Sequence, residues 1–160
     1  MGKYSKKVKT EYIIDEQTAV NQFMLFVDYY DMDVDEIAEA ITKKSKNKEK
    51  TTGDEIGDEY VEMIRLGKFT IFEEDGIVKI KQHLVKSIGK SGDFTEIVYG
   101  QLRGKNRKDM GMAGSNDQEV KSIALLNSLS STAGDIVEKL IGSDYSTAIG
   151  IAGLYFLTQA

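Results

Sequence analysis

"KFTIFEEDGIVKIKQHLV", residues 68–85, decides the fold. Apolar and polar residues alternate on either side of "EEDG", the period of two that sends successive side chains to opposite faces of a strand. Asp75-Gly76 lies at the centre, and Asp-Gly favours a two-residue hairpin because both central positions of a type I′ turn need a positive φ. The spacing predicts antiparallel strands over 68–73 and 77–85. After the loop "KSIGKSGD", the stretch "DFTEIVYGQL" at 93–102 alternates again and predicts a third strand.

On the N-terminal side the period changes to that of helices. "DEQTAVNQFMLFVDYYD" carries Val20, Phe23, Met24, Val27 and Tyr30 at spacings of three and four, with Asp15 as its cap. Phe26 and Tyr29 make this apolar pattern wider than one face. "DVDEIAEAITKK" has Asp33 as cap, acidic residues in its first turn and lysines in its last, matching the helix dipole. "DEIGDEYVEMIRLGK" repeats through Ile56, Tyr60, Met63 and Ile64 and ends at Gly67, where a left-handed C-terminal cap is expected. Between the last two, "KKSKNKEKTTGDE" holds five lysines and no apolar residue and reads as an exposed loop.

On the C-terminal side "RGKNRKDMGMAGSND", residues 103–117, is polar and glycine-rich and reads as a long connection or flap. "DQEVKSIALLNSLS" is helical, with Val120, Ile123, Ala124 and Leu126 on one side and Leu125 and Leu129 widening the apolar surface. A short helix from Asp135 to Ile141 follows, stopped by Gly142, and Ser143 or Asp144 caps the final helix. In "AIGIAGLYF", Gly150 and Gly153 stand three apart and leave a narrow face that another helix can approach. The expected class is therefore α+β. N-terminal helices with a basic arm occupy residues 1–67, and a small central antiparallel sheet with a hairpin, then C-terminal helices, occupy 68–160.

Composition narrows the function. The chain has 160 residues, a formal net charge of -5, no cysteine and no proline. A thiolate metal site and a disulfide framework are excluded, and nucleic-acid affinity is not expected of an acidic chain. "MGKYSKKVK" is basic without a following apolar run, so it does not read as a signal peptide, and Lys6 stands where a myristoylation signal needs Ser or Thr. No stretch is long and apolar enough for a bilayer, so no membrane contact is expected.

The chemical motifs are weak. His83 is the only histidine and falls in a strand, where a hydrogen-bonded structural role is favoured over a general base. The pairs Glu73/Glu74, Asp33/Asp35 and Glu55/Asp58 have strand-alternation or helix-dipole explanations that compete with metal binding. "DVDEIAEA" lacks the glycine of a calcium loop, and "GKS" at 89–91 has Leu84 where a phosphate loop needs its first glycine. The lysines of 43–50 and "RGKNRK" have no interleaved aromatic residue to stack on a base. No catalytic, cofactor-binding or metal-ligating set is expected, and the protein reads as non-enzymatic.

Residues 77–157 form a more specific pattern as a whole. "IVKIKQHLVKSIG" is followed by "TEIVYGQLRGKNRKDM" and by "IALLNSLSSTAGDIVEKLIGSDYSTAIGIAGLYF". This order resembles the tail assembly chaperones of contractile-tailed bacteriophages of the Mu and P2 type. The matching positions are Leu84, 95–99, Leu102, 123–129, Ile136, Leu140, Asp144 and Phe156. Two departures are the Lys86-Ser87 step where the family has a proline, and the helical extension over 1–67.

The resemblance implies a chaperone that binds the tape measure protein and hands it to tail tube subunits in the host cytoplasm, with self-association left open. The competing class is a structural virion protein of the connector, baseplate or capsid decoration. The candidate lining of a partner groove is Phe23, Met24, Phe26 and Tyr30 of the first helix with Leu154, Tyr155 and Phe156 of the last. The competing reading of each is ordinary core.

Overall fold

Asp75 and Gly76 take φ of 53° and 78°, as a type I′ turn requires, and the chain folds back on itself there. The strands on either side, β1 (Phe69–Glu74) and β2 (Ile77–Ile88), pair antiparallel with Ile71 opposite Ile80 and Phe69 opposite Gln82. A third strand, β3 (Phe94–Tyr99), pairs antiparallel with the other side of β2, giving the order β1-β2-β3. The computed structural model describes residues 11–44, 52–89, 92–111, 117–131 and 135–158. Most of the basic arm, most of the lysine loop, and Lys90 and Ser91 of the "GKS" triplet lie outside the described residues.

Alternation decides which face of the sheet is covered. Phe69, Ile71, Val78, Ile80, Gln82, Ile97 and Tyr99 share one face by register and are buried, while Thr70, Phe72, Lys79, Lys81, His83 and Val98 on the other are partly exposed. Helices from both ends of the chain build up over the buried face. From the N-terminal part come α1 (Glu16–Tyr29), α2 (Val34–Lys44) and α3 (Gly53–Arg65). From the C-terminal part come α4 (Gly104–Gly111), α5 (Gln118–Leu129) and α6 (Gly142–Leu157). Some pack against the strands and others, α2 on α3 and α4 on α5, against neighbouring helices. The protein is thus α+β, and one apolar core runs through Phe26, Ile64, Ile80, Leu125 and Tyr155, joining the two helical parts.

Local signals explain most of the helix ends. The Asp15 carboxylate accepts the Thr18 amide at 2.9 Å, Asp33 accepts that of Glu36 at 3.0 Å, and the Thr52 hydroxyl accepts that of Glu55 at 3.2 Å. At the other end of α3, Gly67 has φ of 76°; its amide donates to the Ile64 carbonyl, and the Lys68 amide to that of Met63. That is a Schellman termination, which strongly favours glycine at this position. Gly150 and Gly153 each cost α6 about 1 kcal/mol relative to alanine. The burial of Ile151, Leu154 and Tyr155 beside them outweighs this, since each such side chain contributes roughly 1.5–3 kcal/mol.

Three readings of local sequence are corrected. The stretch 103–117, read as a connection or flap, contains α4; it lacks an apolar period and is held by hydrogen bonds to α5 that no local pattern announces. The expected short helix over 135–141 is a single 3₁₀ turn, Val137–Lys139. The buried Ile136, Val137 and Leu140 anchor this segment, and the Val137 amide donates to the Asn127 side chain at 3.1 Å. Gly142 is the first residue of α6, and Asp144 does not cap that helix.

Asp144 serves the sheet instead. Between His83 and Ile88 strand β2 carries extra residues that β3 does not match, a bulge that leaves amides unpaired. The Asp144 carboxylate accepts the amides of Val85 at 2.8 Å and Lys86 at 2.9 Å. Its carbonyl accepts the Gln82 side-chain amide at 2.8 Å, and the Gln82 oxygen accepts the Tyr99 hydroxyl at 2.8 Å. The buried side-chain polar atoms of this chain of bonds are therefore satisfied, as burial requires.

Both outer strands are engaged sideways. The Ile71 amide, on the free side of β1, donates to the Gln22 side chain of α1 at 2.9 Å. On the free side of β3, Gly100 donates to the Leu129 carbonyl and Ser131 to that of Val98, at 2.9 and 3.0 Å.

Candidate functional site

Helix α5 is apolar on two opposite sides. At 3.6 residues per turn, Ser122, Leu125, Leu126 and Leu129 share one side and are buried in the core. Val120, Ile123, Ala124 and Asn127 share the other, at spacings of three and four. This second side floors a groove of about 600 Å³, and Val120 is 41% exposed there.

Two elements wall the groove. The first is α4, whose Asn106 side chain accepts the Arg103 amide at 2.8 Å and donates to the Ser128 hydroxyl at 2.8 Å. Ser128 in turn donates to the Asp109 carboxylate at 2.8 Å, so α4 is pinned along α5 with Asp109 at the rim. The second wall is the 3₁₀ turn, fixed by Asn127 as described, which sets Asp135 and Glu138 at the opposite rim. The result is an apolar floor between carboxylates. Such a floor suits the docking of an apolar stripe.

The residues expected to line a partner groove lie elsewhere. Phe26, Tyr30 and Tyr155 do come together, with ring centroids 4.7 Å apart for Phe26 and Tyr30 and 5.4 Å for Phe26 and Tyr155; Phe26 and Tyr155 are inside the core and Tyr30 is half-buried at its edge. The Tyr155 hydroxyl donates to the Gly100 carbonyl at 2.8 Å, and the Tyr30 hydroxyl accepts the Leu102 amide at 2.9 Å. This cluster fixes the path of the chain as it leaves β3. Phe23 stacks on Tyr60, Leu154 is fully buried, Phe156 is half-buried, and Met24 is 40% exposed on α1.

The narrow face of α6 meets this chain's own α3. A Cβ at Gly150 would stand 2.9 Å from the Met63 methyl, and one at Gly153 would stand 3.3 Å from the Tyr60 hydroxyl. Burial raises the phenol pKa of Tyr30, Tyr60, Tyr99 and Tyr155 above the usual range.

Other candidates are placed as structural groups. His83 shares a 2.7 Å hydrogen bond with the Thr70 hydroxyl on the open face of the sheet. Glu74 pairs with Lys79 at 2.9 Å, and a hydrogen bond from that lysine lowers its pKa. Among the described residues no three histidine or acidic side chains gather in a metal-binding group, and no helix is long and apolar enough to cross a membrane.

The sequence reading missed the groove because it placed Val120, Ile123 and Ala124 with Leu126 on one apolar side. The width of that pattern was the available signal. No protein-family model matches the chain, and no curated protein and no solved structure matches it either.

Proposed function

We propose that the protein is a non-enzymatic chaperone of phage tail assembly that holds a helix of a tape measure protein on the outer side of α5. The observation that carries this reading is the second apolar side of that helix, where Val120 is exposed and Ile123 is only partly covered by the core. A stripe at spacings of three and four suits an amphipathic partner helix, and covering it would keep the client's apolar residues from aggregating. The resemblance over residues 77–157 implies the client and the recipient, the tail tube subunits, and a role in the host cytoplasm.

The test is co-expression with a tape measure protein. Expected is a soluble complex in cell lysate that Val120→Glu disrupts, with the protein missing from purified particles. Stoichiometric presence in finished particles would replace this reading with that of a connector, baseplate or decoration protein.

A further inference from the structure

We infer that the groove on α5 selects a cationic amphipathic helix, one whose apolar stripe is flanked by lysine or arginine. The inference rests on the outer side of α5 being a docking surface and adds the charge of the occupant. Among the described residues the groove is lined by three carboxylates, Asp109, Asp135 and Glu138, and by no lysine or arginine. The cations of the same elements, Lys105, Arg107, Lys108, Lys121 and Lys139, lie outside its lining.

The carboxylates differ in what they already do. Asp109 is partly engaged by Ser128, whereas Asp135 and Glu138 are exposed and have no hydrogen bond or ion pair among the described residues. Like charges around a concave apolar floor focus a negative potential, which attracts a cationic segment and rejects an anionic one of the same apolar pattern. The floor sets the length of the match. From Val120 to Asn127 is a step of i to i+7, or about 10.5 Å at 1.5 Å per residue, two turns of a partner helix with anchors at i, i+3, i+4 and i+7.

The experiment uses the full chain and two synthetic helical peptides with one leucine stripe, one flanked by lysines and the other by glutamates, followed by fluorescence anisotropy at low and physiological salt. The lysine peptide is expected to bind about tenfold tighter than the glutamate peptide, with the margin shrinking as salt rises. Joint Asp135→Lys and Glu138→Lys substitution should reverse the preference, and Val120→Glu, at an exposed position outside the core, should weaken both.

Equal affinity for the two peptides, lost on Val120→Glu, would overturn the charge selection and leave the docking surface standing. Binding of neither peptide would overturn both. Concentration-dependent dimerisation abolished by Val120→Glu would overturn the inference in favour of a second copy. Tighter lysine-peptide binding after deletion of residues 1–10 would overturn it in favour of the chain's own basic arm.

Discussion

Asp144 stands in the first turn of α6, where a carboxylate ordinarily serves its own helix, yet both of its oxygens serve the β2 bulge. The bulge needs them because β3 cannot reach those amides. Asp144→Asn is expected to destabilise the fold by about 1–3 kcal/mol, since one oxygen would become a donor facing an amide donor, and Asp144→Ala by more. Urea unfolding checks this order, and an unchanged midpoint in the alanine variant would sink the clamp. None of this was legible in the sequence. A serine-aspartate step before a helix reads as a cap, and the amides that compete for the carboxylate lie 58 and 59 positions away in the chain. Asp75-Gly76 and Gly67 were legible because the backbone conformation each one permits is a local property.

At the scale of elements, α6 and α4 show two ways in which tertiary contact overrides local preference. Gly150 of α6 faces only the mobile end of Met63. Gly150→Ala should therefore be neutral or stabilising by up to about 1 kcal/mol, as helix propensity improves and the methyl moves aside. Gly150→Leu should destabilise by about 1–3 kcal/mol through overpacking, and thermal melts of the pair distinguish the cases.

Helix α4 depends on one hydroxyl, that of Ser128, which joins Asn106 to Asp109. Ser128→Ala should release α4, seen as faster amide hydrogen exchange over 104–111 with exchange in α5 little changed. Equal protection in both proteins would show that α4 does not need this link. Its invisibility in the sequence follows: a stretch without an apolar period carries no sign that a neighbouring helix will hold it. The groove was half legible, since the excess width of the α5 pattern was plain but its division into two opposite sides was not.

For the whole molecule, the buried tyrosines predict how stability responds to alkali. Desolvation raises the phenol pKa of Tyr60, Tyr99 and Tyr155 in the folded chain, while the unfolded chain keeps the ordinary value of about 10. A raised folded pKa leaves stability intact below about pH 10 and removes it as pH rises further, by up to about 1.4 kcal/mol per pH unit for each such phenol. Tyrosinate absorbance should therefore show an exposed class titrating first and a second class appearing only with cooperative unfolding. A single smooth titration with the fold retained would contradict the burial of these rings.

The sideways bonds of the sheet bear on how copies of this molecule meet. Gln22 interrupts the backbone of one outer strand, and the segment after α5 occupies that of the other. Neither margin offers a long run of free amides and carbonyls on which another strand could lie. Edge-to-edge stacking of copies into ribbons is thereby disfavoured.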